Sequence, residues 1–120
     1  DWIYVDDHCE AVLLALLHGK SGESYNISAD NEIDNITIVT KILEIMDKSK
    51  DLIEFVDDRP GHDLRYSMSS TKISRELNWK KKGNFYEKLA ETVEWYVQHK
   101  DYCKEITKDV FELTPWKKSN

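Results

Sequence analysis

Only two cysteines occur in this 120-residue chain, Cys9 and Cys103, far apart and without a CxxC or metal-type spacing. Their scarcity excludes a disulfide-stapled scaffold and a zinc-type ligand set, and it fits a reducing compartment. Glycines number four and prolines two, so there is no low-complexity linker and no glycine-rich phosphate loop of the GxGxxG or GxxGxxG kind. No Ser/His/Asp set stands out either, which leaves the chain without a complete catalytic constellation of its own. Positive charge is also short. Seventeen Lys and Arg against twenty-three Asp and Glu give a net charge of −6, which repels nucleic acid and anionic membrane alike, so any anionic ligand must be met locally. The longest dense apolar stretch, residues 11–17, falls far below the roughly 20 residues of a membrane span, and no signal-peptide pattern precedes it. The expectation is a cytoplasmic protein that binds neither nucleic acid nor membrane.

What is present is enough for one domain, because 40% hydrophobic residues in a chain of this length can bury a single core without metal or disulfide support. Asp1-Trp2-Ile3-Tyr4-Val5 reads as the interior of a strand or loop already under way, and so as a piece of a longer chain. Asp7-His8-Cys9-Glu10 fits a capping box opening a helix over residues 6–18, with Gly19 suited to its end. Residues 12–17 are apolar consecutively, so this helix wants cover on more than one side. Ser24-Tyr25-Asn26-Ile27 and Leu52-Ile53-Glu54-Phe55-Val56 have the β-branched and aromatic content of short strands. Ile36, Val39, Leu43 and Met46 predict a second helix over residues 36–47. Ser69 or Ser70 can cap a short third helix ending near Leu77. After Gly83-Asn84, a final helix places Phe85, Leu89, Val93, Tyr96 and Val97 on one face. Ile106, Val110 and Leu113 suggest one more amphipathic stretch. The run Lys80-Lys81-Lys82 has no basic or aromatic company and reads as a solvated turn.

The segment richest in chemistry is Asp57-Asp58-Arg59-Pro60-Gly61-His62-Asp63-Leu64-Arg65-Tyr66. Pro-Gly fits the two centres of a type II turn, since Pro presets one φ and Gly supplies the positive one. Around it stand the donors Arg59, His62 and Arg65, with carboxylates able to orient a guanidinium. Such a turn could hold a diphosphate or a sugar, or be a surface turn with local ion pairs, and spacing does not decide between them. Asn35, just ahead of the second helix, is either its cap or an amide aimed at a ligand. His8 and Cys9 lack a third ligand at matching spacing, so no metal site is expected. His18 and His99 suit helix C-termini, and Trp79, Trp95 and Tyr96 suit packing.

The order of Asp1-Trp2-Ile3-Tyr4-Val5-Asp6-Asp7-His8, Gly22-Glu23-Ser24-Tyr25-Asn26-Ile27 and Asp58-Arg59-Pro60-Gly61-His62-Asp63-Leu64-Arg65-Tyr66 resembles the C-terminal part of the dTDP-glucose 4,6-dehydratases. The likeness continues through Thr71-Lys72-Ile73-Ser74-Arg75-Glu76-Leu77-Asn78-Trp79 and Thr92-Val93-Glu94-Trp95-Tyr96, and covers residues 1–99 in uninterrupted order. The first two blocks recur across extended short-chain dehydrogenases/reductases. Arg-Pro-Gly-His-Asp followed by Arg-Tyr is narrower.

The resemblance implies an α/β fold: the C-terminal portion of an extended short-chain dehydrogenase/reductase, helices with a few short strands, lacking the N-terminal Rossmann core. Residues 1–99 would be the substrate-binding portion and 100–120 a C-terminal extension. A complete enzyme of this kind uses tightly bound NAD to oxidise C4 of a nucleotide-linked glucose, eliminates water across C5 and C6, and returns the hydride to C6. By residue match Asn35, Asp58, Arg59, Pro60, Gly61 and His62 correspond to substrate contacts. The NAD-binding glycine motif, the Thr-Asp-Glu catalytic set and the Tyr/Lys pair belong to an N-terminal NAD-binding domain outside this sequence. No catalytic residue, NAD site or turnover is therefore expected of this chain alone, and a homo-oligomer is expected of the complete enzyme. The first helix and the Tyr25-Asn26-Ile27 segment would pack on the missing domain. Two further readings stand beside this one: a non-catalytic nucleotide-sugar-binding or interaction module, and the matching part of a UDP-glucose 4,6-dehydratase or nucleotide-sugar epimerase.

Overall fold

The computed structural model describes residues 1–104, and the stretch expected around Ile106, Val110 and Leu113 lies outside them. Among the described residues five helices follow one another: α1 (Val5–His18), α2 (Asn35–Ile45), α3 (Thr71–Leu77), α4 (Phe85–Gln98) and α5 (Lys100–Lys104), with a 3-10 turn at Lys50–Leu52. α1 packs on α3, α2 on α4, and α4 on α5. Among the described residues no helix is long and apolar enough to cross a membrane.

α1 is written in strong helix formers, with Asp6 and Asp7 in its first turn and His18 in its last, each on the favourable side of the helix dipole. The predicted capping box does not form. The residue before the helix is Tyr4, which supplies no side-chain cap, and Asp7 lies inside the first turn, buried. Its carboxylate Oδ1 instead accepts the backbone N–H of Lys82 at 3.0 Å, and its carbonyl accepts the Trp79 indole N–H at 3.1 Å. A tertiary partner has outcompeted the local one. Gly19 ends the helix in extended conformation, donating to the Ala15 carbonyl at 2.9 Å, and a side chain there would strike that same oxygen.

The core is small: Ala11 of α1, Ile73 of α3 and Trp79, with Ile3, Leu14, Tyr25, Ile27 and Leu77 packed around them. The two predicted strands are not strands. Residues 24–27 are extended, with Tyr25 and Ile27 turned inward and Ser24 and Asn26 outward, but no ladder pairs them. Residues 53–56 run extended beyond the 3-10 turn, and Phe55 is 85% exposed. The period-2 pattern gives an extended backbone. A strand also needs a neighbour to hydrogen-bond, and none of the described segments supplies one.

α1 shows the apolar excess expected of it. Val5, Val12, Leu13, Leu16 and Leu17 are exposed, Leu16 at 78%, and the free thiol of Cys9 lies among them. In α4, Val93 is buried and Phe85 and Leu89 are half-buried, whereas Tyr96 and Val97 from the same predicted face are exposed in the last turn. The lysine run is not simply a solvated turn. Lys81 Nζ bonds the Ala29 carbonyl and Asn31 Oδ1, and Lys82 Nζ sits 2.7 Å from Glu10. Three chain segments meet there.

Candidate functional site

The turn predicted at Pro60-Gly61 is formed. Gly61 has φ +71°, a value that only glycine adopts without strain, and the N–H of His62 closes the turn on the Arg59 carbonyl at 3.3 Å. Asp58 stabilises it from inside, its Oδ1 accepting the backbone N–H of Arg59 at 2.8 Å and lying 2.6 Å from His62 Nδ1. These contacts, the His62 ring foremost, hold the Asp58 carboxyl below the usual carboxylate range. Local bonds therefore fix the backbone and the His62 ring.

Asn35 reaches the same place from a different direction. The cap of α2 is Asp34, whose Oδ1 accepts the Thr37 N–H at 2.7 Å, which draws its carboxyl downward in pKa. Asn35 is the first residue of the helix proper, exposed, and its side-chain amide has no hydrogen-bond partner among the described residues. The capping alternative for Asn35 is thereby removed.

Asn35 and His62 line one cleft of about 710 Å³, together with Trp2, Glu32, Arg65 and Tyr66. The walls are braced to each other. Glu32 accepts from the Arg65 guanidinium and the Ser67 hydroxyl, which hold its carboxyl low, the Ser67 bond contributing most. Trp2 donates its indole N–H to the Ile33 carbonyl at 2.8 Å, and the Tyr66 hydroxyl donates to Asp63 at 2.8 Å, a carboxylate contact that raises the phenol pKa. Of the expected site residues, Asn35 and His62 face the cleft, while Asp58, Arg59, Pro60 and Gly61 form the exposed turn beside it. Glu32 joins the site without any signal in the sequence, since it stands in a polar loop and its role depends on partners 33 and 35 residues away.

No group of three or more His, Cys, Asp or Glu side chains among the described residues could hold a metal ion. Nor do these residues suit a dinucleotide, because none of the described segments is a strand leading through a glycine-rich turn into a helix. The cleft presents the Asn35 amide and the His62 ring, with Arg65 paired to Glu32 on its wall and Arg59 on the turn beside it, donors able to meet a polar ligand alongside the carboxylates of Asp1, Asp34 and Asp63.

Residues 1–92 match the family model described as GDP-mannose 4,6 dehydratase. Among curated proteins, the chain is 44% identical to a probable dTDP-glucose 4,6-dehydratase of Sinorhizobium fredii over 82% of its own length and 30% of that protein. It is 38% identical to the dTDP-glucose 4,6-dehydratase of Shigella flexneri over 93% of its length and 33% of that protein. Among solved structures it superposes on the Bacillus anthracis dTDP-glucose 4,6-dehydratase in complex with NAD, with a TM-score of 0.79 and 40% identity, covering 85% of this chain and 32% of that one. DesIV, the dTDP-glucose 4,6-dehydratase of Streptomyces venezuelae, also solved with NAD, gives a TM-score of 0.81 at 36% identity over the same shares. The chain spans about a third of the length of the relatives it matches.

Proposed function

The chain belongs to the GDP-mannose 4,6-dehydratase family, and from that premise we propose that it is the substrate-binding segment of an NAD-dependent dTDP-glucose 4,6-dehydratase, a lyase that converts dTDP-glucose to dTDP-4-keto-6-deoxyglucose. The observation that carries the reading is the release of Asn35. With Asp34 serving as the helix cap, the Asn35 amide is left without a protein partner on the wall of the cleft that His62 also lines.

In this assignment residues 1–99 bind the nucleotide sugar and residues 100–120 are a C-terminal extension. Arg59 and His62 meet the diphosphate with charge-assisted bonds, Asn35 meets a neutral polar group of the ligand, and Pro60 and Gly61 set the backbone that aims them. NAD supplies the hydride chemistry in such an enzyme, and the residues described here do not seat it, so no catalytic step is assigned to this chain. It carries out no turnover alone. The exposed apolar face of α1 supports packing against a further, NAD-binding portion, and the complete enzyme is assigned as a homo-oligomer.

The test is titration of the isotope-labelled chain with dTDP-glucose, followed by NMR. Shifts confined to Asn35, the 58–62 turn and the cleft wall are expected. Shifts scattered over the surface, or none at millimolar ligand, overturn the assignment.

A further inference from the structure

We propose that Asp58 is a positioning residue that acts through His62 and does not touch the nucleotide sugar itself; the proposal rests on the reading of this turn as a diphosphate site. The resemblance groups Asp58 with its neighbours as one set of contacts. The geometry separates it from them.

One oxygen of Asp58, Oδ1, accepts the Arg59 backbone N–H at 2.8 Å and lies 2.6 Å from His62 Nδ1. An ionised carboxylate has only lone pairs to offer, so the nitrogen facing it must carry the hydrogen. The ring is thereby fixed with Nδ1 protonated and Nε2 on its far side carrying a lone pair. A diphosphate presents acceptors and negative charge, and Nε2 can bond to it only after taking a proton from solvent. In the doubly protonated ring the carboxylate in contact with Nδ1 lies across the ring from the Nε2–H that the diphosphate meets. A direct contact between the Asp58 carboxylate and a diphosphate would set like charges together, whereas the relay through the ring puts a cation between them.

The other charged groups lining the cleft with His62 do not displace Asp58 from this role. Arg65 is paired with Glu32, Asp34 is engaged by the Thr37 N–H, and Asp63 accepts from Tyr66. The carboxylate of Asp1, also on the cleft wall, accepts from Ser28 and the Asn31 N–H. Among the described residues, Asp58 alone is within bonding distance of the ring.

The test uses the 15N-labelled 120-residue chain and its Asp58→Ala and Asp58→Asn variants, with long-range 1H–15N spectra of the histidines at pH 8 and a dTDP titration at pH 7. The expected result is His62 in the Nδ1–H form in the unmodified chain. In Asp58→Ala, His62 should revert to the mixture of tautomers, rich in Nε2–H, that an unconstrained histidine side chain shows. Asp58→Asn keeps an acceptor and removes only the charge, so it should hold the tautomer and lose affinity for dTDP by about tenfold, the equivalent of one charge-assisted bond. A His62 ring in the Nε2–H form, or in a free mixture, in a chain that binds dTDP overturns this proposal alone. So does unchanged affinity in both variants. An Nδ1–H ring whose signals ignore dTDP overturns the diphosphate reading and this proposal with it.

Discussion

Trp79 donates its indole N–H to the carbonyl of Asp7 across seventy-two residues of chain, at 3.1 Å and buried, while the Asp7 carboxylate accepts the N–H of Lys82. One residue of α1 thus holds the segment between α3 and α4 at two points. Trp79 is also buried in one cluster with Ala11 and Ile73. Trp79→Phe removes the bond and part of the ring volume, and should lower unfolding free energy by about 1–3 kcal/mol, read from denaturant titration. A smaller loss than about 0.5 kcal/mol would show that the bond contributes nothing net.

Asp34 and Asn35 separate capping from binding at adjacent positions. Asp34→Ala should cost about 0.5–2 kcal/mol of stability through loss of the α2 cap. Asn35→Ala should leave stability within about 0.5 kcal/mol and weaken nucleotide-sugar binding. Melting curves and dTDP-glucose titration on the two variants give opposite patterns if the assignment holds.

Arg59→Ala deletes a guanidinium from a turn whose shape Pro60 and Gly61 set, so it removes a charge-assisted contact without releasing the backbone. In a complete dehydratase carrying this segment, kcat/KM should fall by roughly 10- to 150-fold with NAD occupancy unchanged. Unchanged kcat/KM with a lowered melting temperature would mean that Arg59 is structural.

Exposed Val12, Leu13, Leu16 and Leu17 form a contiguous apolar strip along α1. The chain should self-associate through it at high concentration, and Leu13→Glu with Leu16→Glu should shift it toward monomer in light scattering. Equal scattering from both forms would place the association elsewhere.

Glu32 and Asp58 both have carboxyl pKa values lowered in the fold, by Ser67 and then Arg65 in one case and chiefly by His62 in the other. A depressed carboxyl contributes stability above its unfolded pKa and loses that contribution as pH falls through the folded value. The cleft should therefore be unchanged between neutral pH and about pH 5 and open below about pH 4. Chemical shifts of Glu32 and Asp58 followed through an acid titration check this. Loosening already at pH 6 would contradict it.

The helices are legible because their signals are local: apolar spacing for α2 and α4, and the Gly83-Asn84 pair before α4, whose Asn84 accepts the Tyr86 N–H as its cap. The Pro60-Gly61 turn was legible for the same reason. Legibility ended where a distant partner decided the outcome. Asp7 satisfies the grammar of a capping box and is spent on Lys82. Asn35 and Asp34 are equally good caps by type, and a one-residue difference in where α2 starts selects between them. Residues 24–27 and 53–56 carry strand composition, but pairing is a property of the neighbour. The ordered motifs pointed to the family, and the meeting of Asn35 and His62 in one cleft required the fold.

The contacts that build the cleft, Arg65 and Ser67 to Glu32 and the terminal amine of Asp1 to Tyr66, close loops of 33 to 65 residues. Loop closure of this kind is entropically late, so α1, α2 and α4 can form in microseconds while the cleft waits for the chain to find itself. Binding competence should thus lag helix content during refolding. A nucleotide present in the refolding buffer would then act on the slow step and leave the fast one alone.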